Sequence, residues 1–239
     1  MSMKEDIINK VTELANAEFA YTFASDFEGL KTLDYGCTSL VTDATVLYFQ
    51  IKNIPSLLKT GKRLAAKIHK LYQHTLEAIA KETQGHLNCY SPDSFLLIYP
   101  KENHNVNEVV DIALKTASFF ITELREIIEQ HGHVSFSIGI DKGNILGTKV
   151  QSDNNNDHIL WFGTPIDKAK AIGHECNRPF FVGLSGTVYH HLDEEHRIST
   201  KHVLGFKKEV EIWSTVSYSF ENVKKHLYQT NLLKSFEEA

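Results

Sequence analysis

Two stretches of the chain place metal- or phosphate-binding side chains close together. In YHHLDEEH, 189–196, three imidazoles (His190, His191, His196) stand beside Asp193, Glu194 and Glu195. Neutral imidazoles and carboxylates can hold zinc, but the spacing is not H-E-x-x-H, and the stretch reads as a solvated helix end. TGKR, 60–63, contains Gly-Lys without the G-x-x-x-x-G-K-[ST] pattern that wraps a phosphate, so Gly61 reads as the opening of a helix with solvated lysines. A third stretch, ATVLYFQIKN at 44–53, is a β-branched and aromatic run that ends in Gln50 and Lys52, an amide and an ammonium where an apolar residue or a glycine is usual. Asp93 follows Pro92 and on that evidence alone is a turn residue. His131-Gly132-His133 closes a helix, and no serine or cysteine carries a nucleophile motif.

The totals narrow the class. At 239 residues the chain can form one large α/β domain, or one domain with a small appendage. A hydrophobic fraction of 42% and a charged fraction of 23% are near globular averages, enough for a sizeable core. The net charge of −5, without a basic block, argues against a nucleic-acid surface. Cys37, Cys89 and Cys176 lie far apart with no C-x-x-C pair, which predicts reduced thiols and no disulfide framework. MSMKEDIINK lacks an apolar signal core, and no run reaches the roughly 18–20 apolar residues of a membrane span. A soluble, cytoplasmic protein is expected.

The elements that would position these residues follow from periodicity. Ile7, Ile8, Val11, Leu14 and Ala15 predict a short amphipathic helix over 4–17, able to pack on the domain or on a second subunit. A polar connection follows to about 42, then a strand over 44–51 and a helix over 61–82 with Leu64, Ile68, Tyr72, Leu76 and Ile79 on one stripe. HLNCYSPDSFLLIYP reads as two strands bent around Ser91-Pro92-Asp93. A long helix is expected over 106–130, and VSFSIGID as a strand, with KGNILGTKV a turn and a further strand. QSDNNNDH is a polar loop, ILWFG a short strand, 164–175 a helix, PFFVGLS a strand and 185–192 a short helix, with strands near 202–213. The order predicts an α+β fold, a ferredoxin-like βαββαβ core extended at its C-terminal end. Its divisions are an N-terminal helix and connection over 1–40, the main domain over 41–215, and a C-terminal tail over 216–239.

In this order and spacing, ATVLYFQIKNIPSLL, GHLNCYSPDSFLLIY and SIGIDKGNILG…WFGTPIDKAKAI resemble the class III nucleotidyl cyclase homology domain, over about residues 40 to 195. DATVLY, the short amphipathic N-terminus and the W-x-G entry to a helix are most similar to the pyrimidine (uridylate or cytidylate) cyclases of the Pycsar anti-phage system. The resemblance implies a class III cyclase fold and a homodimer with two shared sites. One subunit presents two aspartates that hold Mg²⁺ or Mn²⁺ on a nucleoside triphosphate. The other presents an Asn and an Arg that orient the ribose and stabilise developing charge. It also implies a cyclic-nucleotide effector pathway.

Carried over, the second metal aspartate is Asp93, but the first falls at Gln50, which brings no charge. The Asn position falls at Asp167 and the Arg position at Ala171. Lys168 and Lys170, close to Ala171, could reach a phosphate, and Lys52 could replace part of a metal's charge. Purine cyclases of the family read the base with a Lys and an Asp whose positions fall near Cys89 and Leu160, so a pyrimidine is favoured. Tyr48 matches a tyrosine of the pyrimidine relatives, or is a strand aromatic with a satisfied hydroxyl. The sites expected are therefore Asp167 and Lys170 as catalytic, Tyr48, Gln50 and Lys52 as nucleotide-binding, and Asp93 as metal-binding. Three functions stay open. They are a degenerate cyclase homologue with weak or no turnover, kept for nucleotide binding or regulation; an active pyrimidine cyclase; and a structural interaction module.

Overall fold

The computed structural model describes residues 3–18, 20–24, 27, 29, 33, 38–132, 134–150, 158–203, 206–234 and 236. The helix expected over 4–17 is α1 (Met3–Asn16), whose Ile7, Ile8 and Val11 are exposed. The polar connection expected up to about residue 42 contains β1 (Ala20–Phe23), which pairs in parallel with the first residues of β2 (Thr38–Lys52). The strand expected over 44–51 is thus longer by six residues at its N-terminal end.

Beyond β2 come α2 (Ile54–Thr60), α3 (Lys62–Glu82) and the hairpin of β3 (His86–Ser91) and β4 (Ser94–Pro100). Asn53 enters α2 in the left-handed region, φ 71°. α3 buries Ala65, Ile68, Tyr72, Leu76 and Ile79, the stripe its periodicity announces.

The single helix expected over 106–130 is broken into α4 (Val106–Thr122) and α5 (Arg125–Glu129). Asn105 starts α4 with a capping box: its side chain accepts from the Glu108 N–H at 3.0 Å, and Glu108 accepts from the Asn105 N–H at 2.9 Å. At the far end, the Thr122 hydroxyl donates back to the Ser118 carbonyl, and the Glu123 and Leu124 N–H groups both turn to the Phe119 carbonyl. Such back-bonding bends a helix, and here it ends one.

β5 (Ser135–Val150) is one continuous strand of 16 residues, where a strand, a turn and a second strand were expected. Gly143, at φ 149°, absorbs the bend without breaking the pairing, which runs from Ser39–Thr148 to Lys52–Ser135. β6 (His158–Phe162) folds back on the end of β5; of the polar loop expected over 151–158, His158 begins this strand and 151–157 lie outside the described residues. After it come α6 (Thr164–Glu175), β7 (Val182–Ser185), α7 (Gly186–Tyr189) and α8 (Glu194–Arg197), then a separate hairpin of β8 (Ile198–Val203) and β9 (Phe206–Glu211).

The stretch from 216, expected as a tail, belongs to the main sheet. β10 (Ser214–Phe220) and β11 (Val223–Thr230) form a hairpin on a two-residue turn, with Glu221 at φ 50° and Asn222 at φ 61°. Positive φ at both turn residues matches the twist of the flanking strands. Leu227 and the alternating Tyr218 and Phe220 are buried, which is why the segment pairs with β7.

The sheet order is β10-β11-β7-β5-β2-β4-β3, with β1 pairing the start of β2 and β6 the end of β5. Its stretch β5-β2-β4-β3, all antiparallel, is the ferredoxin-like order of the expected α+β fold. α3 and α4 cover one face over Leu47, Phe49, Phe95, Leu97 and Ile138. α6 covers the other over Val46, Tyr48, Leu96 and Ile98. Among the described residues no helix is long and apolar enough to cross a membrane.

Gly139 of β5 is where α6 touches the sheet. A Cβ there would collide with the Ala169 carbonyl and the Gly173 nitrogen of the helix. Gly139→Ala is expected to push α6 off the sheet and cost about 1–3 kcal/mol or more, read as a lowered thermal midpoint; an unchanged midpoint would show that α6 has room to move.

Candidate functional site

Alternation along β2 decides which side chains meet α6. Phe49 and Ile51 enter the α3/α4 core, so Tyr48, Gln50 and Lys52 face the opposite side. Gln50 is flanked across the strands by Ser94 of β4 and Ser137 of β5, both fully buried. Gln50 is 7% exposed, and its Oε1 has no hydrogen-bond partner among the described residues. An orphan buried acceptor typically costs about 1–3 kcal/mol, which points to a missing donor or cation at this spot.

Asp93 sits in the turn between β3 and β4, and its carbonyl accepts from the Ile51 N–H at 2.7 Å, so the turn is tied to the strand that carries Gln50. The Asp93 carboxylate accepts from the Ser91 hydroxyl, which also lies 2.5 Å from Ser94 Oγ. Oxygen donors with one carboxylate suit a hard divalent ion. The Asp93 carboxylate and the Gln50 amide oxygen are donors of that kind.

α6 lies over this end of the sheet. The Ser137 hydroxyl donates to the Gly173 carbonyl at 2.6 Å, and Lys52 Nζ donates to the Gly173 and His174 carbonyls at 3.0 Å each. A cation at a helix C-terminus meets the negative end of the macrodipole. Lys52 is thereby engaged by α6 rather than open to the turn. Burial holds its ammonium below the ordinary lysine value, with Cys176 and Glu175 pulling the other way.

One turn apart on α6, Lys170 and His174 point at the β3–β4 turn. Lys170 Nζ stands 5.4 Å above the Tyr90 ring, and the His174 ring is 6.1 Å from that of Tyr48. Tyr48 and Tyr90 meet edge to face at 5.9 Å. Burial raises the Tyr48 phenol, and Asp93 and Tyr90 push it the same way. Burial lowers His174, helped by Lys52 and Lys170, with Asp93 and Glu175 pulling the other way.

The structure therefore gathers Tyr48, Gln50, Asp93 and Lys170, and adds Tyr90 and His174, which sequence reasoning missed. The i, i+4 spacing of Lys170 and His174 was the available signal. Asp167 stands apart, exposed on α6, without a side-chain hydrogen bond or ion pair among the described residues. Ala171 packs against the cluster of Tyr218, Phe220 and Leu227 from the C-terminal hairpin. Lys168 turns away from the turn, its Nζ 3.8 Å from Asp141 Oδ2 under the helix. Cys89 lies on β3 and Leu160 on β6, two strands that do not pair but are linked where Asn88 Nδ2 donates to the Ile159 carbonyl at 2.9 Å. The acidic end at 189–196 lies elsewhere: Asp193, Glu195 and His196 have ligand atoms within 4.8 Å of one another. Asn107 holds Asp193 there, and Asp111 lies 3.4 Å from His196.

No protein-family model matches the sequence, and neither does any curated protein. Solved structures do match. The guanylyl cyclase Cya2 is 10% identical with TM-score 0.64, the match covering 83% of this chain and 96% of that one. The guanylate cyclase domain of RhGC from Catenaria anguillulae, in complex with GTP, is 14% identical with TM-score 0.59, over 81% and 98%. A class III adenylyl cyclase-like ATP-binding protein from Pseudomonas aeruginosa is 14% identical with TM-score 0.64, over 81% of this chain and 45% of that one. The chain has the fold of class III nucleotidyl cyclase domains.

Asp141, fully buried under α6, gives a pH-dependent signature. Burial raises its carboxyl above the ordinary value, against the Ser185 hydroxyl at 2.5 Å, the Lys142 N–H, Lys168 and Lys225. The folded chain then holds this proton more tightly than the unfolded chain does. Stability is lost as pH rises from the ordinary carboxylate value through the raised one, by about 1.4 kcal/mol for each tenfold difference in proton affinity between the two states. Melting Asp141→Asn beside the parent across that window is expected to show the variant gaining relative stability as pH rises. A constant gap would mean that Lys168 and Lys225 fully compensate the buried charge.

Proposed function

We propose that this chain is a nucleotidyl cyclase homologue that binds a nucleoside triphosphate with weak or no turnover, in a nucleotide-binding or regulatory role within cyclic-nucleotide anti-phage signalling. The observation that carries this reading is Gln50: buried, uncharged and with an orphan oxygen, it stands across the β3–β4 turn from the one carboxylate, Asp93. The GTP complex of RhGC and the ATP-binding protein from Pseudomonas aeruginosa, both with this fold, support a triphosphate as ligand.

Asp93 would hold a Mg²⁺ or Mn²⁺ ion with help from Gln50, and a bound divalent ion supplies charge neutralisation of the triphosphate and activation of the 3′-hydroxyl. Lys170, above Tyr90 and beside His174, suits a phosphate oxygen. Ala171 offers no donor for charge on the transferred phosphorus, and it packs, half-buried, against the cluster that includes Tyr218 and Phe220. Loss of one such donor typically lowers rate by about 10²–10³. In a homodimer, the exposed Asp167 is free to approach a partner's nucleotide, where its negative charge opposes the triphosphate.

A second reading is favoured by Cys89, Leu160 and Tyr48. An active pyrimidine cyclase would convert UTP or CTP to the 3′,5′-cyclic monophosphate. The 3′-oxygen loses its proton and bonds to the α-phosphorus as the bond to pyrophosphate breaks. Cys89 and Leu160 offer little for the edge of a purine, and the Tyr48 ring lies beside the Asp93 turn.

The test is incubation of the purified chain with UTP, CTP, ATP and GTP and Mn²⁺, read by thermal shift and by mass spectrometry of products. Mn²⁺-dependent stabilisation, lost in Asp93→Ala, with at most trace cyclic product is expected. Gln50→Asp should then raise turnover. A cyclic pyrimidine formed efficiently and abolished by Asp93→Ala would select the second reading. No stabilisation by any triphosphate would leave an interaction module.

A further inference from the structure

On the sheet face opposite α6, a cavity of about 260 Å³ lies between α4, α5, the start of β5 and the segment joining α6 to β7. Its walls are aromatic. Tyr72 and Phe120 stack at 4.7 Å, and Phe136 and Phe181 stack at 5.5 Å. At its rim, Arg125 is already paired, its Nε 3.0 Å from Glu129 Oε1. Arg178 is different. It is exposed at the cavity edge and makes no ion pair among the described residues. Its charge is nonetheless felt inside, where it pulls down the Tyr72 phenol that burial pushes up.

Volume and chemistry together select a ligand class. A dry cavity of about 150 Å³ accepts a benzene ring, so this one has room for a single ring and a short chain. Flat aromatic walls favour an aromatic ring in offset or edge contact over a branched aliphatic group. An unpaired guanidinium at the mouth favours a planar carboxylate, which it can bind through two parallel N–H···O bonds. We propose that this cavity binds a small aromatic carboxylate, its ring against Phe120, Phe136 and Phe181 and its carboxylate on Arg178. The site is independent of the nucleotide reading, because it uses neither Asp93 nor any residue of the α6-covered face.

The experiment is calorimetric titration of the full chain with 3-phenylpropionate, with 3-phenylpropanol as the uncharged ring and hexanoate as the ringless acid. Saturable binding of 3-phenylpropionate is expected, at least tenfold tighter than either control. Arg178→Gln should weaken it about tenfold while leaving the ligand-free melting temperature unchanged, since the residue is exposed. Ile121→Trp, which narrows the cavity from α4, should abolish binding in a chain that still melts cooperatively. Equal binding of acid and alcohol, or no effect of Arg178→Gln, would overturn carboxylate recognition. Absence of saturable binding, or binding of hexanoate as tight as that of 3-phenylpropionate, would overturn the aromatic site.

Discussion

Backbone lies almost on backbone where α6 crosses β5. Gly139 has no side chain, so the Ala169 carbonyl and the Gly173 nitrogen can sit directly above it. Gly173 repeats the device from the helix side, where a Cβ would press on the Tyr48 ring at 3.2 Å. Two polar side chains then fasten the helix end, Ser137 to the Gly173 carbonyl and Lys52 to the Gly173 and His174 carbonyls. Each satisfies a carbonyl that a helix terminus leaves open. Everything at the candidate site inherits this placement: with α6 pinned at its last turn, Lys170 meets Tyr90, His174 meets Tyr48, and both lie near the Asp93 turn.

The same pinning divides the lysines. Lys52 and Lys168 are both adjacent in sequence to site positions, yet each is held by a structural partner, Lys52 by the helix end and Lys168 by the buried Asp141. A buried carboxylate without cations nearby would carry a large desolvation penalty. Lys168 and Lys225 reduce it, and Ser185 supplies a hydrogen bond. Lys170 is left as the α6 cation turned toward the Asp93 turn. The described residues at this end of the sheet thus present the Asp93 carboxylate and, seated over the Tyr90 ring, the Lys170 ammonium.

The C-terminal hairpin completes the account of Ala171. Tyr218 and Phe220 of β10 pack beside it, so the small side chain is part of an apolar seam between α6 and the sheet edge. A long cationic side chain at this position would have to pass this seam. Ala171 and the C-terminal hairpin thus share one packing arrangement, whereas Gln50 lies between Ser94 and Ser137 on the neighbouring strands.

Much of this was legible in the residues alone. Helical stripes fixed α1 and α3, buried runs of β-branched and aromatic residues fixed β2 and β4, and Pro92-Asp93 fixed the turn between β3 and β4, because these depend on local spacing and local backbone preference. The identities at 50, 93, 167 and 171 also needed no coordinates. The break after Thr122, the unbroken β5 and the strands after 214 were not legible. The first depends on where one hydroxyl bonds, the second on a glycine that bends a strand while β2 holds it, the third on an open edge at β7. Nor could spacing tell Lys168 from Lys170, two residues apart, or foresee Tyr90, His174 and Asp141. Sequence sets which groups the chain carries and which face of an element they share. Which group meets which depends on how closely α6 lies on the sheet, and only the tertiary structure, through Gly139 and Gly173, decided that distance.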